Sequence, residues 1–290
     1  MTTLVLGASG QVATHLRELL PNAVYWGREA FDLGVRSDLA SRIEKLGPSL
    51  IVNAAAYTTV DKAESEPALA WRINAEAPAA AASAARVLDI GFVHISTDYI
   101  FDGRKQVAYQ VSDAFGPVNV YGASKLAGEL AARAICPKHW ILRTSWVFSE
   151  HGTNFLKTIL RLASNNRRLS VVGDQRGRPT YAGHLATLIA GLTTDGSTAP
   201  PLPYGTFHAV GGPPTTWFDF AETIVNEAHR QGLIQQVPEM IRLTTSEYPL
   251  QARRPPNSVL EPSADLGSSL DWRDAVGPAL ERLNARRDLT

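Results

Sequence analysis

The chain has 290 residues, 44% of them hydrophobic and 19% charged, and its Lys plus Arg equal its Asp plus Glu at 28 each. That length buries a sizeable core, and the balanced charge supplies none of the basic field that a nucleic-acid partner requires. The single cysteine, Cys136, excludes an internal disulfide and reads as inert packing, and no Cys/His group shows metal-ligand spacing, so no metal is expected, with a carboxylate site as the alternative left open.

Met1 leads straight into Leu4-Val5-Leu6, with no basic flank, long apolar segment or small-residue cleavage site, which predicts a cytoplasmic protein with no membrane partner. Short β-branched runs then alternate with longer Ala/Leu/Glu/Arg stretches. Strands are predicted at Thr3–Leu6, Ala23–Trp26, Leu50–Asn53, Phe92–Ser96 and Trp140–Arg143. Helices are predicted over Gly10–Leu20, Asp38–Leu46, Glu64–Leu88 and Tyr121–Ile135. Each is long enough for a right-handed crossover, and the pattern predicts an α/β fold, a doubly wound parallel sheet of the Rossmann kind. The alanine-dense block 75–85 reads as a helix packed tightly on that sheet.

Beyond about residue 148 the alternation loosens. Asn154–Ser164 and Tyr181–Leu192 read as helices, Leu169–Val172 and Thr206–Val210 as strands, and Thr194–Pro203 as a Gly/Ser/Pro-rich loop. Prolines punctuate the remainder, where Trp217–Arg230 is the one long helix expected. The predicted organisation is a dinucleotide-binding domain over 1–148, with returning segments around 169–210, and a smaller C-terminal α/β substrate lobe over most of 149–290.

The first strand empties into Gly7-Ala8-Ser9-Gly10-Gln11-Val12-Ala13. Small residues there allow a tight turn and expose backbone N–H groups at a helix N-terminus, where they and the helix dipole can hold a pyrophosphate. The spacing departs from the commonest dinucleotide fingerprint, but its context, strand before and helix after, is the one such a motif needs. Arg28, at the end of the second strand, suits a 2′-phosphate and leans toward NADPH over NADH, with a solvated surface arginine as the competing reading. Asp32 and Leu33 lie just downstream, within reach of an adenine. At the third strand end, Ala54, Ala55 and Ala56, followed by Tyr57 and Thr58, offer small side chains for close backbone approach to a cofactor.

The fourth strand ends at Ser96-Thr97-Asp98-Tyr99, and the next helix opens at Tyr121-Gly-Ala-Ser-Lys125. Spacing of four places Tyr121 and Lys125 on one helix face. An ammonium beside a phenol lowers its pKa toward useful acid–base strength, and Thr97 can donate to a carbonyl oxygen as charge develops on it.

These segments resemble the extended short-chain dehydrogenase/reductases and, within them, the dTDP-4-dehydrorhamnose reductase family. The resemblance rests on Asn53-Ala-Ala-Ala-Tyr-Thr58, Val60-Asp-Lys-Ala-Glu-Ser-Glu-Pro67, Ser96-Thr-Asp-Tyr-Ile-Phe-Asp-Gly103 and Tyr121-Gly-Ala-Ser-Lys-Leu-Ala-Gly-Glu129. Arg143-Thr-Ser-Trp-Val147, Asp174-Gln175 with Gly177 and Pro179-Thr180, and Arg253-Arg-Pro-Pro-Asn-Ser258 extend it over nearly the whole chain. It implies NAD(P)H-dependent reduction of the 4-keto group of dTDP-4-dehydro-β-L-rhamnose. Tyr121 would be the acid, Lys125 would hold the ribose, and Gly10–Val12, Asp32, Leu33 and Ala56–Thr58 would contact the cofactor, to which the turn and strand-end readings add Gly7, Ser9, Ala54 and Ala55. Substrate contacts are implied for Thr97, Asp98, Tyr99 and Trp146, with Val60 opposite Trp146 completing an apolar clamp. A core aromatic is the alternative for Trp146. Arg253 and Arg254, in a Pro-rich loop, suit a substrate diphosphate, with a solvated surface arginine as the competing reading for at least one of them. Some relatives are dimers bridged by magnesium on acidic residues, one of them on the first helix. Here His15 takes that place, so the metal is not carried over, and His15 is expected to be an exposed helix residue.

Two other functions fit the same residues. One is a sibling reductase acting on a different nucleotide-linked 4-keto-deoxysugar. The other is a non-catalytic regulatory role like that of the β subunit of methionine adenosyltransferase. The expected partner is a small-molecule nucleotide sugar, and the expected assembly a monomer or homodimer.

Overall fold

The computed structural model describes residues 2–35, 38–193, 202–267 and 270–287; all but the last two residues of the predicted loop 194–203 lie outside them. The first half runs β1 (Thr3–Leu6), α1 (Gln11–Leu19), β2 (Val24–Trp26), α2 (Leu39–Leu46), β3 (Leu50–Asn53), α3 (Val60–Ser65), α4 (Pro67–Trp71), α5 (Ala77–Val87), β4 (Gly91–Thr97), α6 (Val120–Ile135) and β5 (His139–Thr144). The second runs β6 (Val147–Phe148), α7 (Phe155–Asn165), β7 (Arg168–Val172), β8 (Arg176–Gly177), β9 (Thr180–Tyr181), α8 (Ala182–Gly191), β10 (Gly205–His208), β11 (Thr215–Thr216), α9 (Trp217–Arg230), β12 (Glu239–Leu243) and α10 (Trp272–Arg287).

Six strands form the central sheet in the order β10-β5-β4-β3-β1-β2, every pairing parallel. The alternation of side chains along each strand sorts the core into two layers. Val5, Val52, Val93, Trp140 and Leu142 face α1 and α8, while Leu4, Leu6, Ile51, Phe92 and Ile141 face α2, α5 and α6. Strands buried on both faces read as continuous apolar runs, which is why β1, β3 and β5 were legible. The expected doubly wound sheet is present, and β10 adds a sixth strand to the five that carry the first-half crossovers. β7 does not join it: β7 pairs with β12 in a separate two-stranded sheet.

Three expectations are corrected. The single helix expected over 64–88 is broken into α3, α4 and α5, because Pro67 cannot continue α3 and instead starts α4 at its first position. A π-helical turn over Arg72–Glu76 then joins α4 to α5. The structure also contains a second long C-terminal helix, α10, hidden in the sequence by Gly277 and Pro278. Tertiary burial overrides that poor local propensity: Trp272, Val276, Ala279, Leu280 and Leu283 enter a core shared with Phe218, Ala221, Ile224 and Val225 of α9. The third correction is His15, which is 7% exposed because α8 and the segment after β6 cover that face of α1. Among the described residues no helix is long and apolar enough to cross a membrane.

Candidate active site

β1 hydrogen-bonds β2 on one side and β3 on the other, and the crevice at such a switch point, beyond the carboxyl ends of the strands, is where open α/β sheets bind ligands. A cleft of about 760 Å3 lies there. Its walls come from the turn after β1 (Ser9, Gly10, Gln11, Val12), from Arg28, and from the segment after β3 (Ala54, Ala55, Ala56, Thr58, Val60). The end of β4 (Thr97, Asp98, Tyr99), the first turns of α6 (Tyr121, Lys125) and Trp146 after β5 complete them. Sixteen of the predicted site residues therefore converge on one cavity.

The turn at its floor is built for close approach. Gly7 has φ +102°, a conformation other residues adopt only under strain, and a Cβ there would lie 3.2 Å from the Ala55 amide nitrogen. The α1 N-terminus carries no side-chain cap on its free N–H groups, which suits an anion. The Gln11 side chain is already engaged: its Nε2 donates to the Val147 carbonyl at 3.1 Å, and its Oε1 accepts from Ser149 at 2.9 Å and Asn154 at 3.0 Å. Gln11 thus offers a ligand its backbone and ties α1 to the segment after β6.

At the chemical end, Asn119 caps α6, its Oδ1 accepting from Gly122 N at 2.7 Å, and so orients the turn that carries Tyr121. Burial pushes the Tyr121 phenol up to about 12, with the Thr97 hydroxyl opposing and Asp98 adding to the shift. Lys125 donates to the Ile95 carbonyl at 2.6 Å, and burial lowers it to about 8 against the pull of Glu129. Lys125 is not among the groups that shift the phenol in the chain on its own. Desolvation dominates, and Tyr121 is a fully protonated phenol at neutral pH, the form that gives up a proton. Asp98 is also buried, which pushes its carboxyl up to about 7 despite hydrogen bonding from Thr97 and backbone amides. Ser258 stands beside it but donates to the Arg176 carbonyl at 3.3 Å, leaving Asp98 Oδ2 without a well-formed partner.

Trp146 takes φ +48°. Its indole stacks on Trp217 at 3.6 Å and 8°, and a Cβ on Gly177 would lie 2.3 Å from Trp146 Cε2, so Gly177 is small to admit the ring. Trp217 lines the cleft, as do Thr144, Ser145, Gly152, Thr153 and Asn154, and sequence reasoning assigned none of them to a site, although Thr144 and Ser145 lie inside the Arg143–Val147 motif. Gly152, Thr153, Asn154 and Trp217 belong to a loop and helix starts outside the recognisable motifs, and no local pattern distinguishes them.

Five predicted residues do not line the cleft, although Gly7 lies directly under its wall. Asp32 accepts from the Gly34 amide at 2.8 Å, within its own turn, and Leu33 packs on the core. Tyr57 donates to Glu66 at 2.7 Å, and its backbone N–H donates to Asn74 of the π turn at 2.8 Å. The Arg253 side chain is exposed, and its carbonyl accepts from Asn119 at 2.8 Å. Its neighbour Arg254 instead pairs with Asp61 at 2.6 Å.

The family described as RmlD substrate binding domain matches residues 1–285. The dTDP-4-dehydrorhamnose reductase of Salmonella typhimurium is 43% identical over 267 residues, which cover 90% of this chain and 89% of that one. The crystal structure of a dTDP-4-dehydrorhamnose reductase from Clostridium acetobutylicum superposes with a TM-score of 0.88 at 30% identity, over 98% of this chain and 100% of that one. The same enzyme from Bacillus anthracis, solved in complex with NADP, gives a TM-score of 0.86 at 31% identity, over 97% and 99%. The sheet, the cleft and these matches agree, and the chain belongs to the RmlD substrate binding domain family of dTDP-4-dehydrorhamnose reductases, among the extended short-chain dehydrogenase/reductases.

Proposed function

We propose that the cleft carries out the NAD(P)H-dependent reduction of the 4-keto group of dTDP-4-dehydro-β-L-rhamnose to the alcohol of dTDP-L-rhamnose, with Tyr121 as proton donor. The observation that carries this reading is the single cavity that joins an uncapped helix N-terminus beside Gly7 to a buried, protonated phenol. The residues fit a dinucleotide: the backbone N–H groups of Gly10–Val12 meet the pyrophosphate, Ala54–Ala56 admit close approach, and Arg28 lines the end where a 2′-phosphate would lie. Hydride for the reduction comes from the nicotinamide. Lys125 binds the ribose and presents its positive charge to the site, while Thr97 positions the ketone oxygen. Tyr121 passes its phenolic proton to that oxygen as the alkoxide develops. Val60 and the Trp146–Trp217 stack supply the apolar surface against which the deoxysugar is held. Residues 1–148, with α8 and β10, would make up the cofactor-binding part, and the remainder the substrate lobe.

The test is NADPH or NADH oxidation with the 4-keto nucleotide sugar, for the chain and for Tyr121→Phe. The substitution should reduce turnover by about 10²–10⁴-fold and leave cofactor affinity nearly unchanged. Turnover by Tyr121→Phe within a few-fold of the parent overturns the assignment. Oxidation only with a different 4-keto sugar indicates the sibling reductase, and none with any indicates a regulatory role.

A further inference from the structure

Away from the reacting end of the cleft, a second polar group sits inside the protein. His15 of α1 and Glu150 and His151, just after β6, are 7%, 3% and 7% exposed, and their ligand atoms all lie within 4.8 Å of one another. Fewer than twenty sequence positions separate no two of them except Glu150 and His151, so residue spacing could not reveal the group. The reductase chemistry makes no use of it.

These contacts are not those of an ordinary ion pair. His15 Nε2 stands 3.7 Å from Glu150 Oε2 and His151 Nε2 stands 3.9 Å from Glu150 Oε1, both too long for hydrogen bonds. His15 Nε2 consequently has no hydrogen-bond partner although it is buried. The two imidazoles meet edge to face, with centroids 4.7 Å apart and planes at 86°, so both rings border the same gap. Donors around a tetrahedral ion with bonds of about 2.0–2.1 Å lie about 3.3 Å apart, so the two His–Glu separations need to contract by about half an ångström and no pair of ligand atoms by more than about 1.5 Å.

We propose that His15, Glu150 and His151 form a binding site for one divalent transition-metal cation of zinc-like preference, which clasps α1 to the segment after β6. Two imidazoles and a carboxylate are borderline ligands that favour such ions over magnesium or calcium, and three protein ligands leave one position for water. The surrounding groups orient the carboxylate as outer-shell partners do: Tyr181 donates to both Glu150 oxygens, at 3.2 and 3.0 Å. Arg282 of α10, half-exposed, holds Glu150 Oε1 at 2.8 Å from the outside and competes with the cation for it. The position gives the ion a structural task. His15 lies one turn beyond the Gly10–Val12 wall of the cleft, and Gly152, Thr153 and Asn154 of the opposite wall follow His151 directly.

The experiment uses Co2+ as an optical probe on full-length chain stripped with a chelator, without substrate or cofactor, so its result is independent of the reductase reading. One Co2+ per chain should bind with the strong visible absorption of four-coordinate cobalt, be displaced by one equivalent of Zn2+, and raise the Tm. His15→Ala and His151→Ala should each weaken binding by more than the roughly 10–100-fold that loss of an outer-shell partner costs. Arg282→Gln should tighten it several-fold by freeing Glu150. Absence of stoichiometric Co2+ uptake, or equal affinity in folded His15→Ala, overturns the site. If the histidine variants do not fold, Arg282→Gln decides: unchanged affinity with a six-coordinate spectrum refutes the proposal.

Discussion

Asp98 makes a sharp test of the buried site, because its protonation should be visible in the stability of the whole chain. Burial raises its carboxyl from 3.8 to about 7, a shift of about 3 units, and one unit corresponds to about 1.4 kcal/mol. Above about pH 4 the unfolded chain has released this proton, whereas the folded chain keeps it until about pH 7. The folded state therefore binds more protons across that window, and stability falls as pH rises through it. The fall approaches about 4 kcal/mol if nothing relaxes, and it is absent below pH 4 and flat above pH 7. Asp98→Asn keeps the shape and removes the titration. Urea unfolding of both proteins at half-unit steps from pH 4.5 to 8 isolates the effect, since every other group cancels in the difference. The parent should lose stability relative to Asp98→Asn with a slope near 1.4 kcal/mol per pH unit up to about pH 7. Parallel curves would refute the argument, showing that the carboxyl is solvated or paired in the folded chain.

Gly177→Ala forces a Cβ to 2.3 Å from the Trp146 ring; urea unfolding should show a loss of about 1–3 kcal/mol, and the KM for the sugar nucleotide should rise as the indole tilts. The buried pair of Arg143 with Glu129, at 2.6 Å and with both side chains 0% exposed, anchors α6 to β5. Glu129→Gln leaves the guanidinium uncompensated and should cost about 3–5 kcal/mol in the same assay, and a cost below about 1 kcal/mol would show that the pair is not load-sharing. Arg28→Ala should weaken NADPH binding more than NADH binding in fluorescence titrations, and equal losses would remove the 2′-phosphate role.

The cofactor half was legible because its signals are local. An apolar strand run, small residues at the strand end and an apolar helix after them occupy consecutive positions, so Ser9–Val12 and Ala54–Ala56, which line the cleft, could be picked out from the sequence alone. The pair Tyr121 and Lys125 was legible for the same reason, since helical periodicity alone sets them on one face. The phenol's protonation was not, because desolvation is the summed effect of strands and helices far apart in the chain. Trp217 reached the cleft through stacking on Trp146, across some seventy residues. α10 formed despite Gly277 and Pro278 because α9 offered an apolar face to cover. His15 was buried beside Glu150 and His151 by the packing of α8 and the segment after β6. Periodicity and turn chemistry are properties of neighbouring residues and can be read along the chain. Burial, stacking and the assembly of charged groups are properties of what the fold brings together, and they exist only once the layers have packed.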